Sequence, residues 1–167
     1  MDSLAACFSY QGHIGVHKDG ERFAYGISRM GLLQIGRVNP ATGKGEIIEN
    51  LDFQVAPVID DSDGEGGISS HVPSEIPYGF QGLAVNKSYI FTLYSGKALD
   101  EHKEDYKDCP HLFVLDWKGK PVKRFEITPE AKKLSIDHHE NILYLIAFNP
   151  ETLEDELYSI RVDDLNL

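Results

Sequence analysis

Three carboxylates at alternate positions of one acidic segment are of the residue type that binds calcium. Asp61, Asp63 and Glu65 stand in the run DDSDGEGG, and Gly66 follows them. An EF-hand loop that began at Asp61 would need its closing bidentate glutamate where Val72 stands, so the segment is not that motif. A solvated acidic loop is the more common structure for such a run. We therefore expect no cofactor, with calcium at Asp61, Asp63 and Glu65 as the alternative.

Histidines and other polar residues on the strands expected to lie innermost in the fold are a second set that could bind a ligand or a metal ion. The ligand-binding candidates among them are His13, His17, Gln81 and Asp137. A metal-assisted lactonase or lyase would need several carboxylates and imidazoles around one ion, and this set is thin. His138 and His139 do not enlarge it, because neighbours on a strand point to opposite faces. The sequence also lacks a serine nucleophile elbow and a P-loop, so the catalytic residues are unknown.

Two aromatic residues stand beside glycines at the start of a predicted strand. Tyr78 and Phe80 flank Gly79, and Gly82 follows two positions later. Aromatic rings at such a place can stack on a sugar or another ligand, although aromatic residues along strands more often pack between sheets. Tyr78 and Phe80 complete the set of ligand-contact candidates.

The overall charge excludes several classes of partner. The 167 residues include 16 basic and 27 acidic residues, which gives a formal net charge of -11. A phosphate backbone or an anionic membrane would be repelled, so we expect no nucleic acid partner.

No apolar run approaches the roughly 18 residues of a membrane span, and the start of the chain lacks the pattern of a signal peptide. Cys7 and Cys109 are far apart in the sequence, which predicts neither a disulfide framework nor a zinc knuckle.

Short apolar runs bounded by turn residues recur along the chain and predict an all-β fold. Hairpin turns are predicted at Asp19-Gly20 and at Lys118-Gly119. Runs such as NILYLIAF and HLFVLDW carry apolar side chains on both faces, so their sheets must be covered on both sides. The stacked antiparallel blades of a β-propeller provide such cover without helices. A turn of helix is predicted only at residues 129–133.

The runs group into sets of four strands, which we interpret as blades. The predicted blades cover residues 12–59, 79–128 and 129–165, and residues 3–11 are expected to be a strand that completes another blade. The polar residues 96–110 interrupt the second blade and form either a ligand-facing flap or a solvated loop.

Three stretches carry a resemblance to a known family. LYSGK at residues 93–97, HLFVLDWKGKPVKRFEI at 111–127 and IDHHENILYLIAFNP at 136–150 resemble the TolB-like six-bladed propellers. The resemblance implies a ring of six blades and, for full-length relatives, a bacterial periplasmic or envelope location. It implies no catalytic residues.

About three blades amount to half of such a ring and would leave two apolar faces open. Two copies could close a six-bladed ring as a homodimer, with residues 3–11 of one completing the last blade of the other. We therefore expect a non-catalytic binding module that self-associates and takes a protein, peptide or glycan ligand. A propeller enzyme and an inactive fragment of a longer envelope protein are the alternatives, and the fold alone does not decide among them.

Overall fold

The computed structural model describes residues 10–54, 59–62, 68–71 and 73–167. Most of the predicted strand over residues 3–11 lies outside the described residues. Asp63 and Glu65, two of the three calcium candidates, also lie outside them.

Strands make up most of the described chain, as predicted for an all-β fold. Their bounds are β1 (Gly12–Val16), β2 (Arg22–Ile27), β3 (Gly31–Val38), β4 (Gly45–Gln54), β5 (Ile59–Ser62), β6 (Ile68–His71), β7 (Phe80–Val85), β8 (Tyr89–Tyr94), β9 (Cys109–Asp116), β10 (Pro121–Asp137), β11 (Ile142–Asn149) and β12 (Glu154–Arg161). The described helices are α1 (Leu99–His102) and a 3-10 helix (Val162–Leu165).

Antiparallel pairing arranges these strands as successive blades. Strands β1, β2, β3 and β4 form a four-stranded sheet in chain order, and β5 pairs with β6. Strands β7 to β12 form one six-stranded sheet, also in chain order. The fold is an all-β propeller of antiparallel blades, and the blade limits within it stay predictions.

Strand β10 runs through the segment that the sequence analysis expected to be helical. Its first part pairs with β9, and residues 131–137 pair with β11. Ala131 is fully buried and pairs with Cys109 on one side and with Ala147 on the other. The prediction of a helical turn at residues 129–133 is therefore wrong. Two neighbouring strands offer ladder hydrogen bonds there, and these outweigh the local helical tendency.

Turn chemistry explains why the hairpins form where they do. Gly20 and Gly119 have positive φ angles of 74° and 77°, which glycine adopts without a steric cost. Asp116 stabilises the second turn, because its Oδ1 accepts the N–H groups of Lys118 at 2.8 Å and Lys120 at 2.9 Å. The two predicted hairpin turns are confirmed.

The core consists of two layers, one on each side of the second blade. One layer joins the first blade to the second and contains Ala24, Leu33, Ile35, Phe80, Val85, Ile90, Leu115 and Trp117. The other joins the second blade to the third and includes Ala84, Phe91, Leu93, Leu112, Val114, Ala131, Leu143 and Leu145. The neighbours Ile90 and Phe91 are both fully buried, one in each layer. Burying a side chain of this size stabilises the fold by about 1.5–3 kcal/mol, so the second blade depends on cover from both sides.

Candidate functional site

The first strands of the blades lie side by side and form the inner wall of the propeller. Strand β1 contacts β7, which in turn contacts β10 near Leu134. A cavity of about 250 Å³ on this wall is bordered mainly by aliphatic side chains, including Ile14, Val16, Leu83 and Ile136. No group of three or more His, Cys, Asp or Glu side chains in the described ranges is placed to hold a metal ion. The inner wall thus combines aliphatic side chains with the polar residues Ser135 and His138.

His17 is a buried contact between turns of the first and second blades. Its Nε2 lies 3.1 Å from the Lys87 carbonyl oxygen and 3.0 Å from a guanidinium nitrogen of Arg22. Nδ1 accepts the Asp19 N–H at 3.1 Å and lies 2.8 Å from an Asp19 carboxylate oxygen. The ring also meets Trp117 edge-on with 5.0 Å between centroids, so His17 has a packing role.

Tyr78, Phe80 and Gln81 lie where the second blade meets the β2–β3 turn of the first. Phe80 is fully buried, and the Gln81 amide donates to the Ser28 carbonyl at 2.9 Å. Tyr78 is 5% exposed, and the Arg29 guanidinium donates to its hydroxyl. Burial raises the pKa of Tyr78. These contacts join two blades, and ligand binding by the three residues stays a prediction.

His13, Asp137 and Asp61 lie on separate strands. His13 is half-buried on β1, and burial together with the charge of Lys133 lowers its pKa. Asp137 ends β10, where its carboxylate accepts the His139 N–H at 2.7 Å, and this contact lowers its pKa. The backbone of Asp61 pairs with that of Ser69. Calcium binding and the ligand roles of these residues stay predictions.

A second group of polar residues gathers around residues 96–110, which we call the flap. Lys97 is 11% exposed and contacts two carboxylates, those of Asp105 at 2.9 Å and of Glu130 on β10. Burial alone would lower the pKa of Lys97, but the hydrogen bonds with Glu130 and Asp105 raise it. The Tyr106 ring packs on Tyr78 with 4.5 Å between centroids. The flap is therefore fixed to both β10 and the entry of β7.

Beneath the flap lies a cavity of about 560 Å³ that combines carboxylates with apolar groups. We call it the acidic cavity, and it is lined by Asp105, Asp108, Pro110, His111, Glu126, Ile127, Thr128, Pro129, Glu130, Phe148 and Pro150. Burial raises the pKa of Asp108. The Nδ1 atom of His111 is buried and has no hydrogen-bond partner among the described residues. Such an arrangement can accept a cationic group and hold an apolar arm beside it.

The sequence that includes the flap and most of the acidic cavity matches a known family. A model of the TolB-like 6-blade propeller-like family matches residues 45–141, more than half of the chain. The chain belongs to this TolB-like family. The matched part of this TolB-like propeller includes the flap and all four carboxylates of the acidic cavity.

Solved structures with similar folds share little sequence with this TolB-like chain. Hydrazine synthase from Kuenenia stuttgartiensis is 11% identical with a TM-score of 0.49, over 92% of this chain and 36% of that one. The WD40 repeats of RRP9 are 8% identical with a TM-score of 0.47, over 87% of this chain and 35% of that one. The chain thus spans about a third of the length of each. No curated protein matches it in sequence. Within the described residues, no helix has the length and hydropathy of a membrane span.

Sequence reasoning identified only part of the acidic cavity. The charged flap is visible in the sequence, and it contributes Asp105 and Asp108. Glu126 and Glu130 belong to a strand of alternating polar residues, where nothing local marks them as cavity residues. They join the flap carboxylates in this TolB-like propeller because β10 passes beneath the flap.

Proposed function

We propose that the chain is a non-catalytic interaction module that closes a six-bladed ring with a second copy of itself. The observation that carries this proposal is an open apolar face on the last blade. Ile146 on β11 and Leu157 on β12 are directly paired, so their side chains lie on one face, with Tyr144 on the same side of β11. Ile146 is 37% exposed and Leu157 is 66% exposed. We call this the final-blade face.

A complementary face lies on the first blade, on the side away from the second blade. Cross-strand pairing places Ile14 beside Tyr25 and Val16 beside Phe23. Gln34 pairs with Tyr25 and so extends the row that Ile14 and Tyr25 form. Ile14 is 63% exposed and Val16 is 54% exposed. We call this the first-blade face. Each pair of adjacent blades within the chain already packs one such face against another, so two copies would repeat the observed packing at two new junctions.

The free edge of β12 adds a second reason for self-association. Among the described strands, β12 is the last of the six-stranded sheet and pairs only with β11, so we expect its outer backbone groups to accept another strand. Residues 3–11 of the second copy would pair there. Other protein, peptide or glycan ligands would then bind on the completed ring, and the location of TolB-like relatives makes the bacterial envelope the proposed compartment.

The enzyme alternative has less support. A lactonase or lyase centre needs carboxylates and imidazoles converging on one ion. The described inner wall instead carries aliphatic side chains such as Leu83, Leu134 and Ile136, with His138 as its only imidazole or carboxylate among the lining residues. The fragment alternative predicts a monomer or an aggregate, and solution mass distinguishes it from the homodimer.

Light scattering coupled to size exclusion tests the proposal. We expect a mass near twice 18.7 kDa, and because each copy carries a charge of -11, added salt should strengthen association. Leu157→Lys places a charge in each of the two buried junctions and should weaken association by about 3 kcal/mol per junction, which for the dimer is about 6 kcal/mol, or more than about ten-thousandfold in Kd. Leu153→Lys is the matched control, since Leu153 is 73% exposed in a turn outside the final-blade face. A wild-type monomer that unfolds cooperatively at all concentrations would refute the homodimer.

A further inference from the structure

The carboxylates of the acidic cavity have no part in the ring closure proposed above. The cavity lies where the flap, the start of β9, the middle of β10 and the end of β11 meet. Four of its lining residues are carboxylates, Asp105, Asp108, Glu126 and Glu130, whereas Ile127 and Phe148 contribute apolar surface. An apolar cavity with an acidic border is complementary to a cation carried on an apolar arm.

Two of the four carboxylates, those of Asp108 and Glu126, form no salt bridge within the described part of the chain. Lys97 is already engaged by Asp105 and Glu130. The other nearby cation, Lys132, forms an ion pair with Asp155 at 2.7 Å. Among the described residues, no lysine or arginine lies at salt-bridge distance from Asp108 or Glu126. Asp108 is also partly buried, so an incoming cation would offset the cost of keeping it charged.

His111, one of the lining residues, has a ring nitrogen whose hydrogen bond is unmet among the described residues. His111 Nδ1 is buried without a partner in the described part of the chain. A buried nitrogen of this kind is destabilising until a donor or acceptor reaches it. A guanidinium carries five N–H donors in one plane, so it can serve two carboxylates and an imidazole nitrogen together.

The apolar side of the cavity supplies the remaining contact. Phe148 is 38% exposed, and its ring already accepts a cation at one position, where Lys132 Nζ lies 5.2 Å from the ring centroid. The methylene groups of a long basic side chain pack well on such a ring and on Ile127.

We propose that the acidic cavity binds an arginine-type side chain of a partner polypeptide. Asp108 and Glu126 hold the guanidinium, and Phe148 and Ile127 contact its methylene arm. All the lining residues of this binding site come from one chain.

An NMR titration of the ¹⁵N-labelled protein with n-hexylguanidinium tests this site. We expect shifts of the Asp108, His111 and Ile127 amides, and weaker binding as salt is added. The neutral probe n-hexanol should bind at least about tenfold more weakly, since it lacks charge-assisted hydrogen bonds. Equal binding of the two probes, or shifts confined to other residues, would overturn the proposal.

Substitution of Asp108 and Glu126 tests whether these two carboxylates bind n-hexylguanidinium. Asp108→Asn with Glu126→Gln should weaken n-hexylguanidinium binding at least about tenfold, with the amide spectrum otherwise retained. Glu140→Gln, on the turn after β10, removes a charge outside the cavity and should leave binding unchanged. Equal weakening in both proteins would mean that only net charge attracts the probe, and unchanged binding in the double variant would exclude this site.

Discussion

Replacing Gly79 by alanine should weaken the packing of the first blade on the second. Gly79 lies at the entry to β7, against the β2–β3 turn, and donates its N–H to the Ser28 carbonyl at 3.0 Å. A Cβ atom at this position would lie 2.0 Å from the Met30 oxygen and 2.7 Å from the Ile27 oxygen. Ordinary contacts begin at 3.4 Å, so the turn must move by more than about 1 Å.

The expected cost of this change follows from two effects. Overpacking against backbone costs about 1–3 kcal/mol, and loss of the hydrogen bond to Ser28 costs about 1 kcal/mol more. We therefore expect Gly79→Ala to lower the free energy of unfolding by about 3 kcal/mol. For a chain of this size that corresponds to a fall in Tm of roughly 6–12 °C.

Thermal and urea unfolding at one fixed protein concentration measure the effect. Gly45→Ala is the matched control, because its added Cβ would meet nothing closer than the Arg37 oxygen at 3.8 Å. We expect that control to stay within about 0.5 kcal/mol of the wild type. If the two alanine variants unfold within about 1 kcal/mol of each other, the turn does not pack on Gly79 as described, and the reasoning fails.

Three further predictions concern other parts of the fold. Trp117→Phe should lower the free energy of unfolding by about 1–2 kcal/mol, because it removes the 3.1 Å hydrogen bond to the Asn86 carbonyl, and equal urea midpoints would contradict this. Burial raises the pKa of Cys109 to about 12, so peptide mass spectrometry should detect its alkylation at pH 8 only after unfolding, whereas reaction in the native protein would show an accessible thiol. The hydrogen bond from Lys97 lowers the pKa of Asp105 below 3.8, so its stabilising contribution is present above that value and is lost as the pH falls through the folded-state pKa. Lys97→Met should therefore flatten the acid limb of a stability-against-pH curve measured with urea, and an unchanged limb would refute the pairing.

The hairpin pattern could be predicted from the sequence because its determinants are local. The aspartate–glycine turn at Gly20 and the Lys118-Gly119 turn depend on residues within a few positions of each other. Apolar residues on both faces of HLFVLDW likewise predicted cover on both sides, and Leu112 and Leu115 lie in different core layers. NILYLIAF is covered on one face only within the described chain, because Ile146 and Phe148 on its other face are exposed. At residues 129–133 the prediction was wrong, since pairing with two distant strands determines the conformation there.

The candidate site could be predicted less well because it is assembled from distant segments. The sequence marked residues 96–110 as a charged segment, either a flap or a solvated loop, but Glu126 and Glu130 meet it only through the course of β10. The burial of Tyr78 follows from Tyr106, which lies far along the chain and reaches it only when the flap folds back. Neither contact leaves a local pattern in the sequence.

Cross-linking between two single-cysteine variants tests most directly whether the two open faces meet. Gln34→Cys marks the third strand of the first-blade face, and Leu157→Cys marks the third strand of the final-blade face, each in a Cys7→Ser background. The account predicts that a short bis-maleimide gives a covalent dimer in the mixture of the two variants and not with either variant alone. Absence of the dimer from the mixture, or equal cross-linking of each variant alone, would contradict ring closure between first-blade and final-blade faces.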